Sequence, residues 1–405
     1  MHRDMPTARA RILSPVIKRR RQKMNSYINE ISAKVIEIRR YLHAHPELAF
    51  EEINTSKYIC KILDEFGIKY KYPIAKTGIC ALIKGGKPGK TILLRADMDA
   101  LPIKEEVNCD FKSKTEGLMH ACGHDAHTAI MLGAAYVLNK MKDELCGNVK
   151  IVFQPAEEGV GGAEPMIKEG VMENPTVDAA FAFHVTHLCK TGQILVKNGP
   201  VMGAPDEFDI VIKGKGGHGA HPEECNDPIL TASDFITTLK EKLVLNNTVV
   251  TVTAVEGGAT YNIIPDIALM KGTARSTDVD TRNILEGRIE EILKAVCKAH
   301  GCTYDYNFRY MYPITVNDEG MTNIVRKAAY KVLGKENVIE YDTCPMLGED
   351  FSYFANLVPG AYIKLGINGN GKGEHALHSS KFDIDEDALK HGVKLAVQTV
   401  IDYLA

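Results

Sequence analysis

Short, largely apolar runs that lead straight into acidic or histidine residues are the feature that most limits what this chain can fold into. Thr91-Ile92-Leu93-Leu94 runs into Asp97 and Asp99, and KIVFQPA runs into Glu157 and Glu158. AAFAF is followed by His184, and AYIKL leads through a glycine-rich loop to His375 and His378. Runs of this length, apolar at nearly every position, suit strands buried on both faces, as in a parallel sheet covered by helices. Helical periodicity lies between and around them. Ile28, Ile31, Val35, Ile38 and Leu42 mark a helix over 26–45 that Pro46 should end, and further helices are expected over 54–66 and 126–141. Strands alternating with helices define an α/β chain.

The middle of the chain follows another pattern. Residues 207–215 (EFDIVIKGK) alternate like a half-exposed strand, as do 249–255, 267–273 and 303–312. Between them, 227–243 reads as a helix with Asp227 as N-cap and Pro228 in the first helical position, and 278–300 as a long helix. That βαββαβ order gives one four-stranded sheet with two helices on one face. A chain of 405 residues exceeds what one core usually supports, so an inserted domain over 201–312 is expected inside a catalytic domain made of 24–200 and 313–405.

Composition excludes several functions. With 45% hydrophobic and 25% charged residues and a net charge of −3, nothing favours nucleic acid or an anionic membrane as partner. No apolar run approaches the roughly 18 residues a membrane span requires. The ten cysteines are scattered without a CxxC pair, which reads as reduced thiols in a cytoplasmic protein. Residues 1–23 carry the basic run Lys18-Arg19-Arg20-Arg21 and no clear apolar periodicity. A nuclear-localisation or nucleic-acid tail or a transit peptide would share that composition; the preferred reading is a disordered extension from a start codon placed too far upstream, with Met24 as the true start.

Strand ends that deliver Asp, Glu and His to one sheet edge are where an α/β site is built. The densest stretch is His120-Ala-Cys122-Gly-His124-Asp125-Ala-His127. In extended chain 120, 122 and 124 share a face, and Asp125 is placed to cap the following helix, whose dipole would favour a Cys122 thiolate. Thiolate, imidazole and carboxylate together suit zinc or a similar borderline ion, not magnesium or calcium. A tight turn that merely gathers such residues would look the same in isolation; the strand-end pattern argues for the metal. Glu157 and Glu158 diverge as neighbours must, so one can ligate while the other handles protons, without the spacing saying which.

These segments resemble the N-acyl-amino-acid amidohydrolases (hippurate hydrolase and the plant indole-acetyl-amino-acid hydrolases), which belong with aminoacylase and carboxypeptidase G among the two-metal peptidases. The matching stretches are RRYLHAHPELAFEE from Arg39, LLRADMDALP from Leu93, HACGHDAHTA from His120, FQPAEEG from Phe153 and FHV at Phe183. They continue as GKGGHGAHPE from Gly214, YNIIPD from Tyr261, GTAR from Gly272, GEDFSYF from Gly348 and LHSSKFDIDEDAL from Leu377. The resemblance runs from about residue 24 to the C-terminus. It implies a zinc-exopeptidase-like α/β catalytic domain with a mixed, largely parallel sheet, and an inserted α+β, ferredoxin-like lid and dimerisation domain.

It also implies metal ligands at Cys122, His124, Glu158, His184 and His378, holding two divalent transition ions (zinc or manganese, with cobalt or nickel as alternatives). Glu157 resembles the general base, and Asp99 the carboxylate behind a ligand. Asp97 stands where related exopeptidases have a ligand histidine, which leaves its role open. His218 resembles an oxyanion-stabilising residue that reaches across a homodimer. Asn262, Arg275 and Gly348 fall at substrate-binding positions. The expected reaction is hydrolysis of small N-acyl-L-amino acids. A metallo-dipeptidase or carboxypeptidase is the alternative, and a catalytically silent binding protein a more distant one, disfavoured by the retained Glu157. Two departures bear on substrate preference: Glu223 replaces a histidine common in the family, and Leu347 a small residue. His43 and His45 are read as structural, and Cys297 and Cys302 as packing residues.

Overall fold

A computed structural model describes residues 15–405. The chain begins with α1 (Pro15–Ala44), α2 (Ile53–Glu65), β1 (Lys69–Ile74), β2 (Gly78–Lys84) and β3 (Lys87–Asp97). It continues with α3 (His124–Lys140), β4 (Cys146–Gln154), α4 (Ala163–Lys168), β5 (Ala179–Lys190), β6 (Ile194–Val196) and β7 (Gly199–Met202). A second block holds β8 (Ala204–Lys213), β9 (Gly217–His218), α5 (Pro228–Lys242), β10 (Thr248–Gly257), β11 (Ile263–Ile264), β12 (Ile267–Ser276), α6 (Val279–Ala299) and β13 (Thr303–Arg309). The chain then returns as β14 (Thr315–Asn317), α7 (Glu319–Val332), β15 (Val338–Glu340), α8 (Ser352–Ala355), β16 (Gly360–Asn368) and α9 (Asp387–Tyr403).

The apolar runs form the middle of an eight-stranded mixed sheet in the order β1-β2-β4-β3-β5-β16-β6-β15. Its centre, β4-β3-β5-β16, is parallel throughout. Ile92, Leu94, Ile151, Phe181 and Ile363 are fully buried on the face covered by α1, α3 and α9. Leu93, Val152, Ala180 and Tyr362 are buried on the other face with Phe351 and Phe354. Burial on both faces is what an apolar run without alternation requires. The carboxyl ends of the four parallel strands point to one edge, and there the acidic and histidine residues collect.

The second block makes its own four-stranded antiparallel sheet, β10-β12-β8-β13. Phe208, Ile210 and Ile212 of β8 pack on one face with Phe235 of α5 and Ile289 and Leu293 of α6. Cys297 and Cys302 lie in the same cluster as packing residues. Asp227 caps α5, accepting hydrogen bonds from the Ile229 and Leu230 amides at 2.8 and 3.3 Å. Two connections join this block to the larger sheet, and they pair as the antiparallel ribbon β7–β14.

One expectation changes at the N-terminus. Residues 15–23, read as part of a disordered extension, are the opening turns of α1. Lysine, arginine and glutamine are good helix formers, and the turn is tied down by tertiary contacts: Lys23 pairs with Glu144 at 2.5 Å and Arg21 donates to the Lys331 carbonyl at 2.8 Å. Residues 1–14 of that extension lie outside the described residues. Among the described residues no helix is long and apolar enough to cross a membrane.

Candidate metal centre

The site is built at a turn that only glycine permits. Gly123 has φ +84°, and a Cβ there would lie 2.4 Å from Val185 Cγ2. The close approach of this turn to β5 brings Cys122 and His124 beside His184. His378, on the loop after β16, is fixed by its own amide, which donates to the Ala121 carbonyl at 2.9 Å. Glu157 and Glu158 follow Ala156, which takes a left-handed φ of 59° and donates its amide to buried Glu52 at 2.9 Å.

Five residues from four stretches of chain thus meet in two overlapping groups, Cys122–His124–His184 and Cys122–Glu158–His378, with ligand atoms within 4.8 Å of one another in each. Cys122 Sγ lies 3.3 Å from His184 Nε2, and His378 Nε2 lies 3.0 Å from Glu158 Oε1. Cys122 belongs to both groups, and Glu157 joins His124 and Glu158 in a third. Every ligand implied by the sequence resemblance is in this cluster.

The histidine tautomers fit a cation. His184 Nδ1 donates to the Val185 carbonyl at 2.7 Å, which leaves Nε2 with a free lone pair facing Cys122. His124 Nδ1 bonds Asp99 at 3.2 Å, while its buried Nε2 has no hydrogen-bond partner among the described residues. A ring nitrogen turned into a cluster of donors, with its other nitrogen held by a carboxylate, is the usual arrangement of a metal-binding histidine. Asp99 also accepts the Glu158 amide at 3.0 Å, so one carboxylate orients two members of the group.

Asp97, His124 and His127 also lie together, but His127 has no nitrogen to spare. Its Nδ1 donates to Asp97 at 2.5 Å and its Nε2 accepts the Val185 amide at 2.9 Å. Asp97 is committed in turn, with its other oxygen on Arg95 at 2.5 Å. The role left open for Asp97 is therefore that of a buried anchor. Arg95, itself buried, also pairs with Glu349 at 2.9 Å and Asp350 at 2.7 Å. This knot joins β3 to the loop before α8, and the sequence reading missed it. Its signal was the arginine inside LLRADMD and the acidic pair inside GEDFSYF.

Electrostatics separate the two glutamates. Burial, reinforced by Glu349, Glu158 and Asp350, pushes the Glu157 carboxyl well above the ordinary range. Burial acts on Glu158 in the same sense, but its hydrogen bond to His378 and the imidazoles beside it outweigh that and hold the group low. Two adjacent carboxyls driven apart in this way mark different proton roles.

Three details of the HACGHDAH stretch differ from expectation. Burial and the carboxylates of Glu158 and Glu157 push the Cys122 thiol well above its ordinary value, so the helix dipole alone does not make a thiolate; a bound cation would have to. Asp125 is not the cap, because Gly123 holds that position. One carboxylate oxygen is taken by Arg39 Nε and His43 Nδ1, both at 2.8 Å, and the other accepts the adjacent Ala126 amide at 2.9 Å. His120 does not share a face with Cys122 and His124, because a turn at Ala121 and Cys122 breaks the extended alternation. Its ring is buried with no hydrogen-bond partner for either nitrogen among the described residues. His43, read as structural, bridges Asp125 and Glu105, and His375 is exposed outside the cluster.

Among the described residues no hydrogen bond or ion pair links His218, Asn262 or Arg275 to the cluster. His218 on β9 is exposed, its Nδ1 accepting only the nearby Ala220 amide at 3.1 Å. It pairs with Ile263 on β11, which places Asn262 next to it. Arg275 is half-buried on β12 and donates to the Asp206 carbonyl at 3.3 Å. Gly348 packs against Pro205, where a Cβ would lie 2.5 Å from the ring, so the structure gives it a packing role at the start of β8.

A parallel-centred sheet that brings thiol, imidazoles and paired carboxylates to its carboxyl edge, beside an inserted sheet domain, defines a metal-dependent hydrolase of amide bonds. The chain belongs to the peptidase family M20/M25/M40, whose model matches residues 93–402. It is 41% identical over 382 residues to thermostable carboxypeptidase 1 of Saccharolobus solfataricus, covering 92% of this chain and 95% of that protein. It is 38% identical over 387 residues to IAA-amino acid hydrolase ILR1-like 4 of Arabidopsis thaliana, covering 93% and 87%. Among solved structures it superposes on a dinuclear metal-binding peptidase of the M20 family from Bacillus subtilis with TM-score 0.83 at 36% identity, covering 93% of this chain and 99% of that one.

Proposed function

We propose that this protein hydrolyses the amide bond of N-acyl-L-amino acids, releasing an amino acid and a carboxylate. The observation that carries the reading is the shared position of Cys122 in two ligand groups, with Glu157 buried against both His124 and Glu158. Cys122, His124, Glu158, His184 and His378 would hold two divalent ions, zinc or manganese first. A solved relative described as dinuclear supports the count. Such ions supply a Lewis acid for the scissile carbonyl and acidify water.

The chain's own residues do the rest. Glu157 takes the proton of the attacking water and returns it to the nitrogen as the C–N bond breaks. Asp99 holds His124 in the tautomer that leaves Nε2 free. His218 donates to the oxygen that gains charge, and Asn262 and Arg275 hold the substrate carboxylate, Arg275 through its planar fork.

Because His218 makes no contact with the cluster among the described residues of its own chain, it would act in a homodimer, on the partner's centre. The exposed edge strand β10, with Val249 and Val255 on its surface, offers a surface for twofold pairing. Mixing inactive Glu157→Gln and His218→Ala subunits tests this, since hybrid dimers should regain part of the activity. Hybrids that form and stay inactive would place His218 elsewhere. The carboxypeptidase relative favours short peptides as a second reading. Release of glycine from N-acetylglycine and N-benzoylglycine, measured beside glycyl dipeptides, decides between them. A metal-loaded protein that cleaves none of the N-acyl substrates would sink the first.

A further inference from the structure

The turn that presents Cys122 and His124 is tied to α1 through Asp125, the residue after His124. One Asp125 oxygen meets Arg39 Nε and His43 Nδ1 of α1, both at 2.8 Å, and the other accepts the Ala126 amide at 2.9 Å in the first turn of α3. His43 extends the network, its Nε2 meeting Glu105 at 3.2 Å. The second Glu105 oxygen accepts the Ser113 amide at 2.7 Å, and Phe111 of the same loop lies 4.9 Å from the Arg39 guanidinium. Arg39, His43, Glu105 and Asp125 are all buried.

The turn has little of its own to hold it. Gly123 opens α3 without a side chain to cap the helix, and glycine restrains its backbone less than any other residue. Further along, α1 and α3 meet closely: a Cβ on Gly133 would lie 2.7 Å from Val35 Cγ2. A shift of one helix is therefore passed to the other. Stability alone explains the network poorly, because replacing buried ion pairs by apolar side chains of similar volume is often neutral or stabilising. Apolar packing cannot supply direction. A carboxylate shared by a guanidinium and an imidazole keeps one orientation.

We infer that Arg39 and His43 are positioning residues of the metal centre, acting through Asp125 to set the turn that presents Cys122 and His124. The inference rests on the reading of Cys122 and His124 as ligands. Cys122 belongs to both ligand groups, so loss of the constraint should weaken both ions and not one alone.

Cobalt(II) serves as the probe ion, because its visible bands report coordination geometry and its near-ultraviolet charge-transfer band reports the Cys122 thiolate. Cobalt affinity, both spectra and the melting temperature are compared for the unaltered protein, Arg39→Lys, Arg39→Met and the double variant Arg39→Met/Asp125→Asn. Arg39→Met should bind cobalt about tenfold or more weakly and shift both bands, the usual weight of a residue that supports a ligand. Arg39→Lys keeps a cation beside Asp125 and should retain most of the signature. The double variant removes the charge that Arg39→Met strands, so its melting should recover while its spectrum should not. It also carries the comparison if Arg39→Met does not fold. Affinity and spectra that match the unaltered protein in Arg39→Met, or that recover together with melting in the double variant, would make the network structural and overturn the inference. No substrate is used, so the readings fail separately. Unaltered protein that takes up no cobalt overturns the ligand reading and this inference with it. Cobalt bound with an Arg39-dependent signature, but no cleavage of N-acyl amino acids, upholds the positioning role and overturns the hydrolase assignment.

Discussion

Replacing Tyr312 by phenylalanine removes one hydroxyl at the point where the inserted block rejoins the catalytic sheet. That hydroxyl shares its one proton between the carbonyls of Gly159 at 2.9 Å and Glu157 at 3.1 Å, and the ring lies against Gly161, where a Cβ would come within 2.7 Å. Tyr312 thus clamps the backbone of the loop carrying Glu157 and Glu158 to the connection between the two sheets. The lost hydrogen bond and the carbonyl left without a donor together cost about 1–3 kcal/mol. The melting temperature should fall by several degrees, less per kcal/mol in so long a chain than in a small domain. Displacement of Glu157 should lower kcat by roughly tenfold, since placement errors near an ångström are costly in catalysis. KM should change little, because Tyr312 is not among the groups proposed to hold substrate. Calorimetric melting and steady-state kinetics on one N-acyl substrate give both readings. A variant that melts lower with kcat unchanged would make Tyr312 a structural residue only, and one unchanged in both would refute the clamp.

Two further perturbations follow from the geometry. Gly123→Ala meets both a left-handed φ and the Val185 methyl, so it should cost about 2–4 kcal/mol and lower metal content by moving Cys122 and His124; full metal content by elemental analysis would contradict this. Glu52 is buried, accepts from Thr77 and Ala156, and is raised to about 7 chiefly by burial. A carboxyl whose folded pKa is raised contributes its full stability below the unfolded value and loses it as pH rises through 7, here by up to about 3 kcal/mol. Melting of the unaltered protein should therefore drop between about pH 4.5 and 7 and level off above it, and Glu52→Gln should flatten that slope; identical slopes would show that Glu52 does not titrate there.

The central strands were legible because a strand buried on both faces must be apolar throughout, and Thr91-Ile92-Leu93-Leu94 has no other economical use. Asp227 was legible because capping is local: its partners lie two and three residues away. Asp125 failed for the opposite reason. Its charged partners Arg39 and His43 lie far back in the chain, and no local pattern shows that they share the carboxylate with the helix amide. His120 failed because a turn one residue later breaks a period-two argument. The five cluster residues could be named from the resemblance, but the lone pairs that make them a candidate centre, on His124 and His184, are set by Asp99 and a backbone carbonyl. The separation of Glu157 from Glu158 depends on Glu349 and Asp350, nearly 200 residues on, which only the folded chain brings near.

The central claim is that Glu157 moves protons while Glu158 holds metal. Glu157→Gln and Glu158→Gln proteins, purified in parallel, can be compared for bound metal by elemental analysis and for hydrolysis of the best N-acyl amino acid. The account predicts that Glu157→Gln keeps two ions per chain, as in the dinuclear relative, and loses activity by roughly a hundredfold or more. Glu158→Gln should lose metal. A Glu157→Gln protein that remains active, or that loses its metal while Glu158→Gln retains it, would contradict the account.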